Sequence, residues 1–264
     1  MNKQVVAGLG EIGTPILKIL RKEYVAVGYD INKKLMNQEL FKKQIDLHTS
    51  FLHIAIPFTQ KFDKSVKDLV KKFQPDCVVI HSTISPGTTM RLQKQFQIPI
   101  IYSATRGIHK RMYSDLKRYT KFFALSPNAP KKKLISKSFS QKMKKCGIKT
   151  KQMSSPETLE LGKIVCDTSY YGWLINYAQI SNIIARDYNV DYDEMWSFSD
   201  EIHKHLGNRP KMFPGFIGGH CVIPNLDLIH NQTLDLIKNM NDKYSKKIKN
   251  AKTIHKKYLK KKLN

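Results

Sequence analysis

The chain has 264 residues and a formal net charge of +25, from 46 Lys and Arg against 21 Asp and Glu. That length buries a substantial core and suits two domains, and an apolar content of 41% with 10% aromatics excludes a disordered or fibrous chain. The positive excess attracts polyanions at low salt, but no nucleic-acid motif or aromatic stacking pattern accompanies it, so non-specific nucleic-acid binding is what it implies.

The start, Met1-Asn2-Lys3-Gln4, leads directly into an apolar strand without a leader pattern, and no apolar run is long enough to span a bilayer. A soluble, cytoplasmic protein is expected. Cys77, Cys146, Cys166 and Cys221 form no CxxC pair, which argues for reduced thiols and against a zinc cluster or a disulfide framework.

The first predicted unit runs from Val5 to Asp30. Val5-Val6-Ala7 is a buried strand, Gly8-Leu9-Gly10-Glu11-Ile12-Gly13 a glycine turn, Ile16 to Leu20 an apolar-periodic helix, and Tyr24 to Tyr29 a second buried strand ending in Asp30. This order is the one a dinucleotide-binding βαβ unit requires. Gly8 permits the tight turn, Gly10 lets backbone N–H groups approach a pyrophosphate, and Gly13 lets the helix pack on the strand with its positive end toward the phosphates. Asp30 is expected to accept the ribose hydroxyls and repel a 2′-phosphate, which favours NAD over NADP, a preference that Lys33 and Lys34 close behind it soften.

Phe51 to Pro57 and Cys77 to Ser82 read as further strands, separated by an amphipathic helix with Phe62, Val66, Leu69, Val70 and Phe73 on its apolar face. Strands alternating with helices predict a Rossmann-like, doubly wound parallel sheet in an α/β domain spanning 1–153, followed by a mainly helical domain spanning 154–264. The stretch Ser82-Thr83-Ile84-Ser85-Pro86-Gly87-Thr88-Thr89 lies at a carboxyl strand end. Its hydroxyls either contact the cofactor or cap the next helix through Thr88 and Thr89. The expected cofactor contacts are thus Gly8, Gly10, Glu11, Ile12, Gly13, Asp30, Pro57, Ser82 and Thr83. Strands near 99–104, 122–125 and 149–153 and a basic helix over 131–145 complete this domain. The basic stretch Thr105 to Arg111, with Arg106 and His109, is either a site for a substrate phosphate or carboxylate or a solvated loop.

Ser155 as N-cap and Pro156 at the first helical position open a helix expected to run to about Tyr188. It is apolar on more than one face, which points to a homodimer contact. Lys163 and Asp167, four residues apart, share a face and form either a surface pair or the edge of a substrate site. A second helix over 191–206 leads through Pro210 and Pro214 to Pro214-Gly215-Phe216-Ile217-Gly218-Gly219-His220-Cys221, and 232–263 reads as lysine-rich helix. The other three cysteines fit buried small hydrophobes. Cys221, flanked by glycines, is open to a substrate, with His220 or backbone N–H groups favouring its thiolate.

The glycine turn, the Ser82–Thr89 stretch, the helix around Glu160 to Asp167 and the Gly-Gly-His-Cys segment, in this order and spacing, resemble the UDP-glucose/GDP-mannose dehydrogenases, most closely the N-acetylmannosamine type. The resemblance implies an NAD-dependent oxidation in which Cys221 holds an aldehyde as a thiohemiacetal and Lys163 stabilises the oxyanion or relays a proton. Asp167, His220 and the substrate contacts Arg106, His109 and Asn225 complete the expected site. This sequence departs from the family where Ala104-Thr105-Arg106 replaces a Pro-Glu pair, where Asp167 replaces an asparagine and Asn225 an aspartate, and in ending before a third, nucleotide-binding domain. Three readings follow: a shortened relative oxidising the alcohol of a polar anionic substrate; a dehydrogenase of the 3-hydroxyacid and 6-phosphogluconate kind that uses Lys163 without a covalent adduct; or a catalytically degraded NAD-binding protein whose basic surface binds nucleic acid or an acidic partner.

Overall fold

The computed structural model describes residues 2–205, 214–228 and 232–248. Among them a seven-stranded sheet is ordered β2-β1-β3-β4-β5-β6-β7. The strands are β1 (Asn2–Ala7), β2 (Ala26–Tyr29), β3 (His48–Ile54), β4 (Cys77–Ile80), β5 (Ile100–Tyr102), β6 (Lys121–Leu125) and β7 (Thr150–Gln152). Side chains alternate across it, as a two-residue period demands. Val6, Phe51, Cys77, Val79 and Ile101 lie under one face, whereas Val5, Ala7, Leu52, Ile54, Val78 and Ile80 lie under the other. Both faces are therefore apolar and both need cover. Helices α1 (Gly13–Leu20), α5 (Met112–Arg118) and α6 (Lys132–Lys145) supply it on the Val6 side. Helices α3 (Phe62–Phe73), α4 (Thr88–Gln93) and α7 (Pro156–Leu161) supply it on the Val5 side. Phe62 and Val66 of α3 are fully buried there, each contributing about 1.5–3 kcal/mol.

The sheet is parallel except at β5 and β6, which pair antiparallel with Ile101 opposite Leu125. The cause lies in residues 105–118. Asp115 accepts the Ile108 N–H at 2.9 Å and the Arg106 guanidinium donates to Thr120 O at 2.7 Å, so the chain curls back and re-enters at the edge it left. Periodicity also passed over α2 (Gln38–Gln44), whose N-cap Asn37 accepts the Leu40 N–H. The ammonium of the buried Lys3 donates to Gln44 O at 2.9 Å, to Leu47 O at 2.6 Å and to Ile45 O, satisfying carbonyls at the end of that helix.

Contacts divide the chain into two compact units, Met1–Lys163 and Ile164–Asn264. The division falls ten residues beyond the composition change at 153/154, because α7 packs on β5 and β6. The expected long helix starts as read, Ser155 accepting the Thr158 N–H at 3.1 Å. It continues as a π-helical stretch, Gly162–Ser169, and then as α8 (Tyr170–Asp187). The second unit adds α9 (Tyr192–His205), the short α10 (Ile223–Leu226) and α11 (Gln232–Lys247), around Ile175, Ile217, Val222, Leu226 and Ile237. No described helix is long and apolar enough to cross a membrane. Leu206, Pro210 and the lysine-rich stretch from Lys249 onward lie outside the described residues.

Candidate functional site

The strand order reverses between β1 and β3, and the carboxyl edge at such a reversal is where open α/β folds bind ligands. The glycine turn follows β1 at this edge. Gly8 has φ +90°, and a Cβ there would meet Ala55 O at 2.6 Å, so two strand ends approach closer than any side chain allows. A Cβ on Gly13 would meet Gly8 O at 1.7 Å, whereas one on Gly10 would have no neighbour within 4 Å. Two of the three glycines thus serve the fold and the third leaves open space.

Asp30 braces this turn. One carboxylate oxygen accepts the Leu9 N–H at 2.7 Å and the other accepts the Asn32 N–H at 2.8 Å. Each oxygen keeps a second lone pair, so ribose hydroxyls still have acceptors. Glu11, exposed at the turn, meets His109 Nδ1 at 2.8 Å, which joins a residue expected at the substrate to the glycine turn. Arg106 lies over the Phe122 ring at 4.9 Å and bonds Thr120, so part of its capacity goes to closing its own loop. Ile12 is half-buried and Pro57 exposed.

Ser82 and Thr83 follow β4. The Ser82 hydroxyl donates to Ile56 O at 2.5 Å, tying the loops after β3 and β4 together, and Thr83 is half-buried. The next helix, α4, is capped from a distance. Gly87 is its N-cap and supplies no side chain; the buried Glu160 of α7 accepts the Gly87 N–H at 2.6 Å, the Thr89 N–H at 3.0 Å and the Thr89 hydroxyl at 2.6 Å. Burial raises the Glu160 carboxyl while these donors oppose the rise. Thr89 therefore holds Glu160, and Thr88 accepts from Arg91 at 3.4 Å.

Lys163 is half-buried and Asp167 exposed in the π-helical stretch. Such i→i+5 segments recur at functional sites. Cys166, in the same stretch, is exposed, which corrects its reading as a small buried hydrophobe; Cys77 and Cys146 are buried, and burial pushes the Cys146 thiol up to about 11.

In the second unit Cys221 and His220 are exposed, Gly219 has φ +78°, and Asn225 Nδ2 donates to Cys221 O at 2.5 Å. The approach to this loop hangs on buried side-chain amides. Asn241 accepts the Ile217 N–H at 2.7 Å and donates to Ile217 O at 3.2 Å. Gln179 donates to Gly215 O at 2.7 Å and to Asn241 at 3.2 Å, and accepts from Asn176 at 2.8 Å. The Tyr244 hydroxyl donates toward Pro214 O at 3.1 Å. Sequence reading missed these residues and Glu160. Their only signal is polarity at buried helix positions, which shows once the buried face is known.

No family model matches the chain and no curated protein matches it. Solved structures do. The UDP-D-ManNAc dehydrogenase of Pyrococcus horikoshii superposes with a TM-score of 0.70 at 15% identity, covering 92% of this chain and 68% of that one. The UDP-N-acetyl-mannosamine dehydrogenase Cap5O of Staphylococcus aureus gives 0.70 at 16% identity with the same coverage. Psf3, solved with NADP+ and 2-OPP, gives 0.58 at 13% identity over 90% of this chain and 93% of that one. These likenesses establish the fold, a Rossmann-like sheet followed by helices, and the chain spans about two thirds of the first two proteins.

Proposed function

We propose that this chain is an NAD-dependent oxidoreductase that oxidises an alcohol on a nucleotide-sugar-like or other polar anionic substrate. The observation that carries the proposal is the carboxyl-edge turn, with space at Gly10 and the two Asp30 oxygens bracing Leu9 and Asn32. The N–H groups at the start of α1 suit a pyrophosphate, since its first turn holds no acidic residue. When bound, NAD supplies the hydride acceptor. Around it the residues Gly8, Gly10, Glu11, Ile12 and Gly13 cradle phosphates, Asp30 holds ribose, and Ser82, Thr83 and Pro57 border the cofactor. Lys163 takes the hydroxyl proton or steadies the oxyanion, with Asp167 beside it in sequence. Cys221 adds as thiolate to the aldehyde carbon, whose oxygen takes a proton, giving a thiohemiacetal; His220 favours the thiolate and Asn225 holds the loop. Arg106 and His109 offer cationic groups to a substrate anion.

A second reading rests on the coverage of 93% of Psf3, a dinucleotide-bound chain of similar extent. Here Lys163 acts alone in one two-electron step and Cys221 is structural. Calorimetric titration of NAD and NADP into wild type and Gly10→Val tests the cofactor: binding by wild type and none by the variant is expected, and no binding by wild type overturns the proposal. Turnover unaffected by Cys221→Ser then selects the second reading.

The homodimer is proposed from α8. Its buried side carries Asn176 and Gln179, while Tyr170, Trp173, Tyr177, Ile180 and Ile184 are exposed at the 3.5-residue spacing of a helix-pairing seam. Tyr177 is 63% exposed, and a second copy of the chain would cover this aromatic stripe. Sedimentation should give a dimer that Tyr177→Glu dissociates; a wild-type monomer refutes it. The charge of +25 is read as non-specific attraction to polyanions, abolished by moderate salt.

A further inference from the structure

Neighbouring strands of the first unit bring polar groups together beneath the apolar cover of α1, α5 and α6. Gln4 of β1, His53 of β3, His81 just after β4, Ser103 just after β5 and Lys121 of β6 follow the spatial order of the sheet. His81 Nδ1 lies 3.1 Å from Ser103 O, His53 Nδ1 lies 2.9 Å from His81 Nε2, and His53 Nε2 lies 2.9 Å from the Gln4 amide. The imidazole rings are stacked 6° from parallel. Lys121 Nζ donates to the same Ser103 O at 3.0 Å. Both histidines are buried, as is the lysine.

These contacts dictate where the protons are. A carbonyl only accepts, so His81 Nδ1 carries hydrogen and its Nε2, in the neutral ring, is a lone pair. His53 Nδ1 must then donate to it, which leaves His53 Nε2 as an acceptor. The Gln4 amide must therefore face that nitrogen with its NH2 rather than with its oxygen. Amide orientation follows from the network in this way.

The surroundings oppose a charged ring. The cavity beside the pair, about 10 Å³, is lined by Ile16 and Leu20 of α1, Leu116 of α5 and Met143 of α6 as well as by both histidines and Lys121. The charges bearing on it are the cations Lys121 and Lys142, with Arg106 acting on Lys121. Asp115 and Tyr119 of α5 line a neighbouring cavity on the other side of Lys121, where Asp115 is already engaged by Ile108 and Arg111.

We propose that His53 and His81 are positioning residues, a neutral one-way hydrogen-bond relay from Gln4 through both rings to Ser103 that ties together the strand ends carrying the candidate site and releases them when either ring is protonated. Burial among cations holds His53 down to about 3 and His81 well below the ordinary histidine range. The unfolded chain therefore takes up protons below about pH 6.5 that the relay refuses, and stability falls as pH falls. For His53 alone, the unfolding constant should rise about 30-fold from neutral pH to pH 5.

The test is long-range ¹⁵N spectroscopy of the histidine rings in the whole chain at pH 7, with unfolding and hydrogen exchange measured from pH 7.5 to 5. Hydrogen on Nδ1 of both rings is expected; hydrogen on Nε2, or a charged ring, overturns the relay whether or not any variant folds. His53→Gln should lose about 30-fold of the acid dependence, and the same dependence as wild type overturns the proposal. The His81 and Ser103 amides, bonded to Ile54 O and Ile80 O at 2.8 Å, should lose protection as pH falls; constant protection refutes the tie between strand ends. None of these readouts uses a dinucleotide, so they stand apart from failure of the cofactor reading.

Discussion

In the first unit the expected cofactor residues sit on turns after β1, β2, β3 and β4, and the glycine turn is held by backbone close approach, Gly8 against Ala55 and Gly13 against Gly8. In the second, the segment leading to Cys221 is suspended from the side chains of Gln179, Asn241 and Tyr244. Backbone packing of this kind tolerates almost no added atom, whereas a side-chain sling fails when a polar partner is lost. The contrast teaches that the two units carry unrelated kinds of mutational sensitivity.

The comparison breaks most sharply at Gly13. Both atoms that crowd a Cβ there are backbone, at 1.7 Å and 2.9 Å, so Gly13→Val should cost more than about 3 kcal/mol in urea denaturation. A variant as stable as wild type would show that the turn can relax. On the other side, Asn241→Leu leaves both backbone groups of Ile217 and the Gln179 amide short of partners. A loss of about 2–4 kcal/mol is expected, with faster exchange of the Ile217 amide; unchanged exchange would sink the sling.

A smaller effect separates charge from packing within the first unit. Burial brings Lys121 down to about 7, so between about pH 7 and 10.5 the unfolded chain binds the proton more strongly and stability rises with pH. The slope is at most about 1.4 kcal/mol per pH unit, and Lys121→Met should flatten it; a retained slope would place the alkaline gain elsewhere. Smallest of all, Gly10→Val should stay within about 0.5 kcal/mol of wild type in stability, because the space beside Gly10 is open. Its effect belongs to cofactor titration, and a large stability loss would make Gly10 another packing glycine.

Legibility followed the range of the interactions. The Gly8–Gly13 turn, the helix start at Ser155 and the α3 stripe were readable because a tight turn, a cap and a 3.6-residue period are each written within a few consecutive residues. The antiparallel β5–β6 pair was not, since the bonds that fold 105–118 back depend on Asp115 and Thr120 meeting residues several positions away. Cys166 was misread because a cysteine in an apolar-looking helix carries no local sign of which side faces out. Glu160 caps α4, 71 residues away from Thr89 in sequence, a role that nothing near it in the chain announces.

Apolar strands alternating with helices, and the glycine spacing, were enough to specify the parallel part of the sheet and the turn at its carboxyl edge, because each such strand must bury both faces and Gly8 and Gly13 are demanded by their own neighbours. Which polar residues would be drawn inside was settled by folding. His53, His81 and Lys121 meet across strands, and Gln179 and Asn241 across helices. A buried polar group must find its partner in three dimensions, and the partner's distance along the chain leaves no trace in local pattern.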